Sequence, residues 1–173
     1  MGTIRHIIRG VQASALGTLA MDTLLYRRYR NAGGESAFLA WESSEGVEGW
    51  ENAPAPALVA KRLLESATGR ELAPQYARLL NNVTHWGFGL AMGAGFGLLA
   101  GSRTPKPWTG PPFGAAVWGS GYVVLPLLGV YEPIWHYDRK TLGKDLSAHL
   151  VFGTATAAAY SALAAFQTST GDR

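Results

Sequence analysis

Four apolar stretches, each about the width of a lipid bilayer, set the strongest limit on how this chain can fold. Ile7–Tyr26, Val83–Gly101, Pro112–Tyr131 and Leu146–Phe166 each hold about 20 residues. A helix rising ~1.5 Å per residue crosses the ~30 Å hydrocarbon layer with that length. Tyr26, Trp86, Trp108, Tyr131 and Trp135 sit at the ends of these stretches, where aromatic side chains settle at membrane–water boundaries. Only 16% of residues are charged, against ~25% in soluble domains. A soluble bundle of Ala-rich core helices is the alternative, and four whole-width blocks count against it. The expected fold is therefore all-α: an integral membrane four-helix bundle, residues 1–173 forming a single membrane domain.

The first stretch also has the basic start of a signal peptide, with Arg5, His6 and Arg9. Gln12, Ser14, Thr18 and Asp22 interrupt it, however, and it runs on into Arg27, Arg28 and Arg30, which fits a retained span. Gly2 is followed by Thr3-Ile4-Arg5-His6, so the myristoylation pattern lacks its Ser or Thr. Charge sets the orientation. The N-terminus, second loop and C-terminus carry Arg5, Arg9, Arg103, Lys106 and Arg173; the first and third loops carry twice as many, Arg27, Arg28, Arg30, Lys61, Arg62, Arg70, Arg78, Arg139, Lys140 and Lys144. The excess of Lys and Arg on cytoplasmic loops places both termini outside.

The loop 27–82 begins basic and turns acidic through Glu35, Glu42, Glu45, Glu48 and Glu51, a run that reads as a solvated face. Pro56 suits the first turn of a helix over about 56–67. Val59, Ala60, Leu63, Leu64 and Ala67 recur at helical spacing with Lys61, Arg62 and Glu65 opposite, and Gly69 is placed to end the helix. A second short amphipathic helix is expected over 74–80. Both suit the membrane surface.

Small residues mark the packed faces. Gly89, Gly93, Gly97 and Gly101 repeat every four residues in the second span, and Gly153 heads a similar row, with Ala157 and Ser161, in the fourth. The first span has Gly10, Ser14 and Thr18; the third has Ala115 and Gly119, with Pro126 expected to kink it. Such rows let helix backbones approach closely in lipid. One further step of four takes three of these rows to Asp22, His85 and His149, at a shared depth and facing inward. Glu132 and His136 lie at the same surface, with Asp145 just beyond. Ionisable groups inside a span are costly and tend to serve function. Three chemistries fit Asp22, His85 and His149: proton binding, a metal site of imidazole and carboxylate, or haem ligation by the two imidazoles. The structural alternative is that they hydrogen-bond each other or backbone carbonyls and staple the bundle.

The absence of Cys excludes disulfides, Fe–S clusters, thiolate zinc sites, covalent haem and Cys nucleophiles. A net charge of +3 with no basic stripe among aromatics speaks against nucleic acid as a partner. No nucleotide-binding Gly-rich loop, GxSxG or HExxH occurs and no catalytic residues assemble, so an enzyme is the less favoured class. No resident cofactor is implied beyond the metal or haem alternatives.

Four runs carry a family resemblance: Asn81-Asn82-Val83-Thr84-His85-Trp86-Gly87-Phe88-Gly89, Gly114 to Trp118, Leu125-Pro126-Leu127-Leu128-Gly129, and Ala148-His149-Leu150-Val151-Phe152-Gly153. Over Asn81 to about Ala162 the chain resembles the YagU-like family of bacterial inner-membrane proteins. The resemblance implies a multi-pass protein of the cytoplasmic (inner) membrane with a link to survival in acid, and brings no cofactor or catalytic residue. The leading expectation is a small membrane protein with a proton- or ion-responsive site, tied to pH homeostasis. The alternatives are a non-catalytic subunit packing against a larger membrane complex or a second copy through its Gly face, and a metal- or haem-binding redox protein.

Overall fold

The computed structural model describes residues 2–171; Arg173, counted in the charge asymmetry, lies outside them. The described residues are all-helical, with no strand. Six α-helices follow in order: α1 (Gly2–Asn31), α2 (Phe38–Glu42), α3 (Ala55–Thr68), α4 (Ala77–Ala100), α5 (Gly110–Leu127) and α6 (Arg139–Gly171). Single 3₁₀ turns at Pro74–Tyr76, Pro107–Thr109 and Ile134–His136 lead into α4 and α5 and precede α6.

Among the described residues, two segments are long and apolar enough to cross a membrane: the 27 residues Pro74–Ala100 and the 28 residues Arg139–Phe166. The other two expected spans fall short of that test. α1 carries Arg9, Gln12, Ser14, Thr18 and Asp22 along its middle, and α5 is 18 residues diluted by Pro111, Pro112, Pro126 and four glycines.

Helix ends follow local chemistry. α5 stops at Leu127 instead of kinking and running on to Tyr131, because Pro126 has no N–H to donate and Gly129 takes the left-handed conformation at φ 65°. The Gly129 and Val130 amides then donate to the carbonyls of Pro126 and Leu125, both at 2.9 Å, the double bond of a Schellman end. α1 ends the same way at Gly33, φ 92°, with Gly33 and Gly34 amides donating to Arg30 and Tyr29. The helix expected over 74–80 is not separate: Pro74–Tyr76 is a 3₁₀ turn that runs straight into α4. α6 begins seven residues before Leu146 because Asp138 caps it, accepting from the Lys140 and Thr141 amides at 2.8 and 3.0 Å. α2 is too short to show a period in sequence.

The chain forms two compact units. The first takes in residues to Leu24, Phe88–Ser120 and those from Asp138 onward; the second is Leu25–Gly87 with Gly121–Tyr137.

In the first unit, glycines decide which helices touch. A Cβ placed on Gly93 would strike the Ser14 side chain and the Gly10 carbonyl, and one on Gly97 would strike the His6 carbonyl. One on Gly89 would meet Thr18 Oγ1 at 2.5 Å. The row 89–93–97 of α4 therefore lies directly on α1, which runs antiparallel to it. Gly153 of α6 meets Gly110 and Gly114 of α5 with the same closeness, and Gly17 of α1 meets Thr156 and Phe152 of α6. Two expectations are corrected. Gly101 has nothing within 4 Å of an added Cβ and instead ends α4 with φ 55°. On α5 the packing glycines are Gly110 and Gly114, while Gly119 faces open space. Ala13, Phe96, Ala157 and Tyr160 form the apolar core.

In the second unit, Tyr26, Tyr29, Phe38 and Trp41 stack with ring centroids 5.2–6.4 Å apart. The end of α2 is clasped by the start of α4. Arg78 Nε and Asn82 Nδ2 donate to the Ser43 carbonyl, Asn81 Nδ2 donates to Ser44 Oγ at 2.7 Å, and Trp86 Nε1 donates to Glu42 at 3.1 Å. Glu42 is thus the one acidic-run residue that is drawn inward; Glu35, Glu45, Glu48 and Glu51 are exposed.

Candidate polar site

Beside its apolar core the first unit buries polar side chains and exposes large apolar ones. Its buried side chains include Arg9, Ser14, Thr18, Asp22 and Thr156, while Ile4, Ile8, Leu16, Leu98 and Leu99 are exposed, Leu99 at 83%.

The inward line runs down one face of α1. Gly10, Ser14, Thr18 and Asp22, each four residues on, are all buried, and Asp22 is 2% exposed. Ser14 Oγ donates back to the Val11 carbonyl at 3.1 Å, and Thr156 Oγ1 to the Phe152 carbonyl at 2.8 Å. These are the usual local partners of hydroxyls inside helices. The Thr18 hydroxyl, one turn before Asp22, is buried and makes no hydrogen bond among the described residues.

The other expected site residues fall as follows. His149 shares the first unit with Asp22 and is half-buried; its Nδ1 lies 3.0 Å from the Asp145 carbonyl and 3.5 Å from that residue's carboxylate. A carbonyl oxygen only accepts, so Nδ1 is the donor in this contact. His85 is half-buried and belongs to the second unit. Neither Asp22 nor His85 stands without a partner. Glu132 and His136 pair with each other at 3.3 Å, both largely exposed. A screened surface pair of this kind is worth little. Among the described residues, no three His, Asp or Glu side chains are grouped as a metal ion requires.

Sequence reasoning missed a second polar cluster, at the opposite end of the same line. Tyr160 is fully buried, donates to the Gly101 carbonyl at 2.8 Å and lies 3.5 Å from His6 Nδ1. The Arg9 guanidinium sits 5.2 Å from the centre of its ring, and Arg9 is 7% exposed. Arg9 was counted as a flanking charge, and it is an interior one, sheltered by the Tyr160 face. The signal was present: the row Gly10–Asp22 continues backward by four to His6, and Tyr160 follows Thr156 by four. Some 13 residues, ~20 Å of helix, separate Arg9 from Asp22. Over that length the contacts of Gly10, Ser14 and Thr18 with the α4 glycines leave no room even for a methyl group.

Comparison of the chain with protein-family models, with curated proteins and with solved structures finds no match.

Proposed function

We propose that this is a small multi-pass protein of the bacterial inner membrane, crossing it four times with α1, α4, α5 and α6, and that Asp22 and His149 give it a proton-responsive site serving pH homeostasis. The observation that carries this reading is the burial of Asp22 at the end of a polar line inside an apolar-surfaced unit. A carboxylate held at that depth is costly and is kept where it pairs or exchanges a proton. Close glycine contacts seal the α1–α4 seam between Asp22 and the Arg9–Tyr160 end, which favours proton sensing on one face over conduction. The resemblance to the YagU-like family, with its acid link, agrees with this reading, as does the charge asymmetry that sets both termini outside.

The accessory-subunit alternative would use other small residues than Gly89, Gly93 and Gly97, which meet α1 within the chain; Gly87 and Gly95 of the same helix have nothing within 4 Å of an added Cβ. The test is a double-mutant cycle of Asp22→Asn and His149→Ala, read as thermal stability in lipid nanodiscs at acid and neutral pH. The proposal expects the two changes to be non-additive and the pH response to fall in both. Additivity within about 0.3–0.5 kcal/mol at both pH values means that the residues are independent and removes the site.

A further inference from the structure

The second unit leaves half of one helix face uncovered. α3 carries a single apolar stripe through Ala57, Ala60, Leu63, Leu64 and Ala67. Ala57 and Ala60 are 0% and 8% exposed, whereas Leu63 and Leu64 are 53% and 41% exposed and Ala67 is exposed too. This is not a fraying end. Gly69 closes the helix in the left-handed conformation, its amide donating to the Glu65 carbonyl at 2.8 Å. Lys61 pairs with Glu65 at 2.8 Å and lies 5.6 Å from the centre of the Trp50 ring. Glu65 accepts the Leu72 amide at 2.9 Å, and the Trp50 indole N–H donates to the Leu72 carbonyl at 2.9 Å. The pose that points Leu63 and Leu64 outward is thus fixed from the opposite side of the helix.

Two further observations name what covers the face. Only residues 69–73 separate α3 from Pro74, the start of a segment able to cross a membrane. At ~3.5 Å per residue the two ends lie within ~20 Å of each other, so the leucines cannot leave the neighbourhood of the lipid surface. Arg70, exposed just past the Gly69 cap, follows the leucines on their side of the helix, while Arg62 stands on the opposite side with Lys61 and Glu65. Leucines beside an arginine match a leaflet that presents acyl chains beneath negatively charged phosphates.

We propose that the Leu63–Leu64–Ala67 face of α3 docks on the surface of an anionic lipid leaflet, with Arg70 at the lipid phosphates. The proposal rests on the membrane reading above. The chain has no Cys, so single cysteines can carry an environment-sensitive dye at Leu63, at Ser66 on the polar side, and at Leu99 as a span control. The full-length protein is placed in nanodiscs of phosphatidylcholine alone or mixed with phosphatidylglycerol. The dye at Leu63 is expected to shift to the blue, to be quenched by spin labels carried shallowly on lipids, and to shift further with phosphatidylglycerol. Ser66 should stay open to aqueous iodide, and Arg70→Gln should erase the phosphatidylglycerol increment while Arg62→Gln leaves it in place. Iodide access at Leu63 in both lipids, with Leu99 shielded by lipid, overturns the docking surface and leaves the membrane reading standing. Iodide access at Leu99 as well overturns both. A Leu63 dye shielded from iodide yet untouched by lipid spin labels means that a protein, a second copy or a partner, covers the face, and overturns the proposal.

Discussion

Gly93→Ala adds one methyl group to α4 at its tightest contact with α1. The new Cβ strikes both the Ser14 side chain and the Gly10 carbonyl. Ser14 is fully buried and cannot swing away. The neighbouring contacts show how far the helices must part: a Cβ at Gly10 lies 2.9 Å from the Gly97 Cα, where carbon atoms rest at about 3.5–4.0 Å. α1 and α4 must therefore separate by more than ~0.6 Å along several turns. Overpacking of this kind costs about 1–3 kcal/mol. Gly95 is the internal control. It lies in the same helix two residues on, and a Cβ there meets nothing within 4 Å, so Gly95→Ala keeps only the gain in helix propensity, up to ~1 kcal/mol. The two variants should differ by roughly 1–4 kcal/mol, or roughly 2–16 °C in melting temperature for a chain of this size. Thermal unfolding followed by near-UV circular dichroism in one detergent measures it. Equal melting temperatures, or Gly95→Ala the lower, would refute the assignment of the packed face.

Gly153→Ala should cost a similar 1–3 kcal/mol by forcing α5 off α6, with Gly119→Ala, which faces open space, as its neutral partner. Tyr160→Phe strands the Gly101 carbonyl and should cost about 1–3 kcal/mol by chemical denaturation, while leaving the ring's packing on Phe96 intact. Asp138 is held below the usual carboxylate range, first by the Thr141 hydroxyl. A lowered folded value means that its stabilisation is present above about pH 4 and fades as pH falls through that lowered value. Amide exchange at Lys140 and Thr141 should therefore accelerate on acidification, and Asp138→Ala should make it fast at every pH. Glu65, lowered chiefly by its bond from Lys61, behaves with the same sign, and Glu65→Gln should weaken protection of the Leu72 amide above about pH 4.

The helical character, the glycine row that meets α1 and the inward line to Asp22 were legible because period-four spacing on a helix is a geometric fact. Residues four apart share a face whatever surrounds them. What the spacing did not hold was which row ended early. Gly101 keeps the interval of its predecessors but sits at a helix end, and only its positive φ distinguishes a cap from a contact. Pro126 was legible as a breaker, but whether it bends or stops α5 depends on Gly129, three residues on. Asp138 was overlooked as a cap because apolar content, which locates spans, says nothing about the polar turns that precede them. Arg9 was misplaced for a related reason. A guanidinium near a chain terminus reads as solvated until a buried aromatic ring is known to cover it, and Tyr160 lies more than 150 residues away in sequence.

The measurement closest to the central claim is infrared difference spectroscopy of the carboxyl stretch of the protein in lipid nanodiscs, stepped between acid and neutral pH. A buried Asp22 that exchanges a proton should give a protonated-carboxyl band that grows with acid, shifts in His149→Ala and disappears in Asp22→Asn. The exposed Glu45 should contribute nothing to that band, so Glu45→Gln should leave it unchanged. A spectrum with no pH-dependent band removed by Asp22→Asn would contradict the account and leave Asp22 a fixed strut of the bundle.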